Sequence, residues 1–197
     1  MQNDRKSHPV MNLPDQFEIF DLSKGYNPEQ ISEFIENGGW AVGKYNEKRA
    51  DMYNAPQYKN RRNIHMGIDI WAPAGEPVFA PLPGFVKYMA NHSEEGNYGG
   101  AIVLEHTFEG NPIFALYGHL APGSLRNLKK GQMLEAGDVV GRLGDETENG
   151  NWPPHLHFQL SINDPGEADM PGVVAEEELD QALETYPDPH IILGDWY

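Results

Sequence analysis

A chain of 197 residues is long enough to bury a core with extensions, and too short for more than two small domains. Its 21 glycines and 16 prolines interrupt long helices and favour turns, so a β-rich architecture is expected. A net charge of −16 argues against nucleic acid and anionic membrane as partners, which need clustered cations, and the lack of cysteine excludes disulfides and thiolate metal ligands.

Residues 1–27 mix polar and apolar side chains without a clear period. Met1 to Pro9 has no apolar run after its charges, and no stretch of the chain approaches the apolar length of a membrane span. No signal peptide is therefore read here, and a cytoplasmic location is the expectation. Pro28 to Gly38 predicts a short helix, with Asn27 as its cap, Pro28 in the first turn, Gly38 as its stop, and Ile31, Phe34 and Ile35 on one face. The polar stretch 44–63 predicts a long loop over the surface.

From His65 onward the pattern changes to short apolar or alternating runs separated by Gly, Pro or Asn. These are Pro77–Ala80, Gly84–Ala90, Ala101–His106, Ile113–Leu120, Asp138–Leu143 and His155–Ile162. Strands of this length and spacing predict an antiparallel sheet or sandwich. After Ser161 the chain becomes acidic and proline-rich, with a helix predicted over Glu176–Leu183 and an irregular tail from Tyr186 that packs back on the domain.

Four of the eight histidines and one aspartate stand in three short motifs: His65-Met66-Gly67-Ile68-Asp69, Tyr117-Gly118-His119-Leu120 and His155-Leu156-His157-Phe158. In a strand His155 and His157 point to one face, where two imidazoles side by side would repel if protonated. Gly67 permits a close turn that aims His65 and Asp69 at one point. Two imidazoles and a carboxylate suit a zinc ion with one position open for water, and two histidines remain to move protons. His8, His92, His106 and His190 lie in turns, strand ends or terminal segments and are read as ordinary structural histidines.

These motifs resemble those of the lysostaphin-type, LytM-like zinc endopeptidases, which act on peptidoglycan. Ala72 to Pro81 with Gly84-Phe85-Val86 resembles the family's strand-turn-strand, and Gly131-Gln132, Ala136 to Gly141 and Leu143-Gly144 resemble its final hairpin. The resemblance runs from about Arg62 to Ile162 in the family's order. It implies a mainly β fold: a folded antiparallel sheet of duplicated hybrid-motif, barrel-sandwich character, with short helices in the extensions. It also implies that His65, Asp69 and His157 bind Zn2+, that His119 and His155 are catalytic, and that the substrate is a peptide or peptidoglycan fragment.

The chain departs from the family pattern in two places. Gln159 stands where Glu is common, and the approach to His155, Gly144 to Pro154, is longer and more acidic. That loop and Asn91–Gly100 are expected to wall a groove, with Trp152 and Tyr98 as candidate substrate contacts. The expected organisation is an N-terminal extension over residues 1–61, a peptidase domain over 62–162 and an acidic C-terminal extension over 163–197. The leading function is a zinc metallopeptidase cutting a Gly- or Ala-containing peptide linkage. The alternative is a non-catalytic, metal-containing binding or regulatory module of the same fold, acting on a protein partner.

Overall fold

The computed structural model describes residues 7–58 and 61–196. The start of the unpatterned N-terminal stretch and the last tail residue lie outside them. In chain order the strands are β1 (Glu18–Phe20), β2 (Ala41–Gly43), β3 (Ile64–His65), β4 (Ile68–Trp71), β5 (Pro77–Phe79) and β6 (Gly84–His92). They continue as β7 (Gly99–Phe108), β8 (Asn111–Leu120), β9 (Met133–Leu134), β10 (Val139–Arg142), β11 (His155–Ser161) and β12 (Val173–Val174). The helices are short: α1 (Pro28–Glu36), α2 (Leu179–Thr185) and α3 (His190–Leu193). None is long and apolar enough to cross a membrane.

The architecture is mainly β. Eight strands form one sheet in the order β1-β2-β4-β11-β8-β7-β6-β9, and small sheets pair β10 with β5 and β12 with β3. The pairings from β2 through β9 are antiparallel, as expected, but β1 runs parallel to β2 and makes the large sheet mixed. Nothing in the aperiodic first 27 residues announces that strand.

Strand β11 organises the molecule. Leu156, Phe158 and Leu160 enter the main core, joining Ile68, Ile70, Ile102 and Tyr117 of the large sheet to Val78 and Val140 of the small one. Period-two alternation turns His155, His157, Gln159 and Ser161 to the opposite face. That polar face is buried as well, because the segment that follows β11 packs over it. Met170 and Ala168 pack against Tyr98, Val103 and Leu116, while Val174 and Ala182 pack against Ile64 and Met66.

Helix α1 forms as the sequence predicts: Asn27 accepts a hydrogen bond from the amide of Gln30, Pro28 occupies the first turn, and Ile31 and Ile35 are buried. Its apolar face joins a cluster with Trp71 and Trp152, behind the histidines. The predicted surface loop over 44–63 is a correction. Glu47, Arg49 and Met52 are buried, and Lys48 bridges to Ile64. The stretch turns inward because Arg49 finds a buried carboxylate partner, Asp69, which a surface loop could not offer. The acidic segment folds as a 3-10 turn over Glu176–Glu178 followed by α2, and the tail returns to the core through Ile192 of α3.

Phe158 lies at the centre of the core with no exposed surface, edge-on to Tyr117. Phe158→Ala should destabilise the protein by about 3–5 kcal/mol, measured by denaturant unfolding.

Candidate active site

Strand register brings the three motifs together. His157 of β11 lies opposite Asp69 on β4 and opposite Gly118 on β8. His155 lies opposite Trp71 and stacks on its indole, with ring centroids 5.4 Å apart. A Cβ on Gly67 would come within 2.7 Å of the His157 ring, so only glycine lets the turn between His65 and Asp69 close over that imidazole.

His119 reaches this face by breaking the alternation. On a regular strand it would share the core side with Tyr117. Between Tyr117 and Leu120, β8 carries an extra residue relative to β7, and His119 takes a positive φ of 62°. Together the bulge and the left-handed backbone swing its ring to within 4.1 Å of the His155 ring.

His65, Asp69 and His157 are buried, and among the described residues they form the group whose donor atoms could hold a metal ion. His65 Nε2 is 3.0 Å from His157 Nδ1, and Asp69 Oδ1 is 3.2 Å from the first and 3.0 Å from the second. The outer nitrogens define the neutral tautomers. His65 Nδ1 donates to the carbonyl of Lys44 at 2.9 Å, which leaves the lone pair on Nε2. His157 Nε2 donates to Gln159 Oε1 at 2.9 Å, which leaves the lone pair on Nδ1. Gln159 is oriented for this by donating from its own amide to the carbonyl of Pro171 at 3.4 Å.

Two lone pairs and one anionic oxygen therefore face each other with no proton between them, an arrangement that a cation resolves. Zinc fits the donors: with bonds of about 2.0–2.1 Å, neighbouring donors of a tetrahedral shell lie roughly 3.3 Å apart. The observed separations of 3.0 to 3.2 Å come close to that spacing.

The electrostatics keep His65 and Asp69 in ligand form. Burial pushes His65 down to about 4, with the Arg49 guanidinium adding to the effect. Burial alone would raise Asp69, but the His65 imidazole and the Arg49 guanidinium hold it well below the usual carboxylate range. Arg49 Nη1 donates to Asp69 Oδ2 at 2.6 Å and to the Tyr53 hydroxyl at 2.9 Å, and Nε donates to Glu47 at 3.2 Å. This leaves Asp69 Oδ1 to face the two histidines. Sequence reading missed Arg49, whose polar neighbours suggest a surface position, and it noted Gln159 only as a departure.

His119 and His155 are the second pair. His119 Nδ1 donates to the carbonyl of Asn149 at 3.0 Å and His155 Nδ1 to that of Pro153 at 2.7 Å, so in the neutral rings both Nε2 atoms carry lone pairs. Burial lowers the basicity of both, and His155 and His157 lower His119 further. Asn149, a residue with no sequence signal, holds the 144–154 loop in shape by donating to the carbonyl of Trp152 and accepting from its amide.

All five residues line one cavity of about 490 Å³. Trp152 and Tyr98 also line it, although both are largely buried. Trp152 lies edge-on to His119 and Tyr53, and the loop carrying it forms one wall. Tyr98 lies beside His119 and His157, with its hydroxyl committed to the carbonyl of Met170 at 2.8 Å. His8, His92, His106 and His190 stand outside the cavity lining, each bonded to a backbone carbonyl or a nearby carboxylate.

Residues 63–168 match the model of Peptidase family M23. The chain is 32% identical over 100 residues to the DD-carboxypeptidase/endopeptidase Mpg of Neisseria meningitidis, an alignment covering 51% of this chain and 20% of that protein. It is 31% identical over 104 residues to the L-Ala–D-Glu endopeptidase of Bacillus subtilis, covering 50% and 30%. The chain thus spans less than a third of the length of these relatives. Among solved structures, a zinc-containing peptidase from Vibrio cholerae aligns at 29% identity with a TM-score of 0.39, covering 50% of this chain and 27% of that one.

The buried Arg49 is balanced between Asp69 and Glu47. Arg49→Met should destabilise the metal-free protein by about 3–5 kcal/mol, because two carboxylates are left buried without a cation. Adding Glu47→Gln should restore part of the loss in the same denaturant titration.

Proposed function

Since the chain belongs to peptidase family M23, we propose that it is a zinc-dependent peptidase that hydrolyses an amide bond in a peptidoglycan-like or Gly/Ala-rich peptide. The observation that carries this reading is the convergence of two imidazole lone pairs and one carboxylate oxygen beside a second histidine pair, all opening on one cavity. In this assignment His65, Asp69 and His157 hold the metal, and His119 and His155 are the catalytic histidines. Bound there, zinc supplies Lewis acidity that makes water a nucleophile near neutral pH and polarises the scissile carbonyl.

The chain's own groups do the rest. Arg49 and Gln159 keep Asp69 Oδ1 and His157 Nδ1 aimed at the metal position. His119 and His155, neutral because they are buried, offer Nε2 lone pairs to the proton of the attacking water. The Nδ1–H bonds to Asn149 and Pro153 steady the imidazolium that results, and Nε2 then gives the proton it took up to the leaving amine. Trp152 and Tyr98 flank the histidines as the proposed substrate contacts.

The peptidoglycan assignment draws on the activities for which the relatives are named, a DD-carboxypeptidase/endopeptidase and an L-Ala–D-Glu endopeptidase. We propose that residues 62–162 carry the peptidase site and that the segments on either side complete its walls.

His119→Ala and His155→Ala should each lower kcat/KM on peptidoglycan fragments by about 10²–10⁴-fold while zinc content stays that of wild type. Full activity in both variants would remove the histidine pair from the mechanism.

A further inference from the structure

Three consecutive carbonyls in the segment after β11 are held by groups at the metal-ligand cluster. Met170 accepts from the Tyr98 hydroxyl at 2.8 Å, Pro171 from the side-chain amide of Gln159 at 3.4 Å, and Gly172 from the backbone amide of Met66 at 2.9 Å. Each donor sits against a ligand. Met66 follows His65 in the chain, the Tyr98 ring lies 5.4 Å from that of His157, and Gln159 accepts from His157 Nε2. The wall itself lies close to them: a Cβ on Gly172 would collide with the Tyr98 hydroxyl and stand 3.5 Å from the His157 ring. Met170, Pro171 and Gly172 all line the cavity.

Of the three donors, Gln159 alone answers to the proton of a ligand. The Met66 amide and the Tyr98 hydroxyl can donate whatever form His157 takes. Gln159 has one acceptor end and one donor end, and both are engaged: Oε1 takes the proton of His157 Nε2 at 2.9 Å, and the amino end holds Pro171. This orientation requires the tautomer in which His157 Nδ1 carries the lone pair, the form able to ligate a metal.

Without a cation, that lone pair stands 3.0 Å from Asp69 Oδ1 with no proton between them. Moving the ring's one proton from Nε2 to Nδ1 removes the repulsion, because Nδ1 then donates to Asp69. The move leaves Nε2 as an acceptor facing a second acceptor, Gln159 Oε1. The amide must turn over to offer its NH2 group to the ring, and the turn sets Oε1 against the Pro171 carbonyl. The wall then loses its middle hydrogen bond. Gln159 has no exposed surface, so bulk water does not repair the mismatch and the two arrangements are discrete.

We propose that Gln159 is a positioning residue that couples occupation of the metal site to the cavity wall, holding Met170–Gly172 in place only while His157 ligates a metal. The coupling rests on the metal-binding reading of His65, Asp69 and His157. Its physical basis is one two-state amide that the metal site and the wall both bias.

The test compares hydrogen–deuterium exchange of residues 166–174 in metal-stripped and zinc-loaded protein, with zinc content measured alongside. In wild type, zinc should slow exchange of this segment by about fivefold, the effect of one hydrogen bond, relative to any change in β6. Gln159→Glu, as the carboxylate, still accepts from His157 but has no proton for Pro171. It should take up zinc and lose the added protection. Gln159→Met, neutral and of similar length, should lose it too, and it keeps the test decisive if a buried carboxylate prevents folding.

Zinc uptake by wild type without slower exchange of 166–174 overturns the coupling and leaves the metal reading standing. A full zinc response in either folded, zinc-loaded variant does the same. A folded wild type that takes up no zinc overturns both.

Discussion

Asp69 Oδ1 lies within 3.2 Å of an imidazole nitrogen on each side, and in the neutral tautomers neither nitrogen has a proton to give it. Much of the surrounding structure maintains that condition. The Lys44 carbonyl takes the proton of His65, Gln159 takes that of His157, and Arg49 occupies the other carboxylate oxygen. Three acceptors held together in a buried place cost free energy unless a cation joins them. The proposed zinc is that cation, and the surrounding hydrogen bonds would then orient ligands rather than store repulsion.

The sheet makes such a site affordable to fold. Core residues on one face of β11 fix the strand, and strict alternation then fixes where His155 and His157 point. Register does the remainder, placing Asp69 across from His157 without any direct sequence link between them. Segments before β3 and after β11 convert an open sheet face into a cavity. Met52, Tyr53, Tyr58 and Arg62 on one side and residues from Pro165 to Val173 on the other contribute wall, and β12 pairs with the strand that carries His65.

Local features of this arrangement were legible in the sequence, and long-range ones were not. Helix α1 could be read because its cap, its first-turn proline and its apolar face lie within eleven residues of one another. The shared face of His155 and His157 followed from strand periodicity alone. His119 did not follow: the same periodicity sends it to the core with Tyr117, and only the β8 bulge with a positive φ brings it to His155. Arg49 was hidden for a different reason. Charged residues in a polar run ordinarily face water, and its partner Asp69 lies twenty residues further on. Gln159 could be noticed as a departure, but its hydrogen bond to His157 depends on its neighbours in the folded strand.

The account stands on a cation joining His65, Asp69 and His157. Its most direct test is calorimetric titration of zinc into metal-stripped protein, with folding monitored by circular dichroism. The predicted result is saturable uptake of a single zinc per chain by wild type, and loss of that uptake in a folded His157→Ala variant. A wild-type protein that is folded and takes up no zinc would contradict the account.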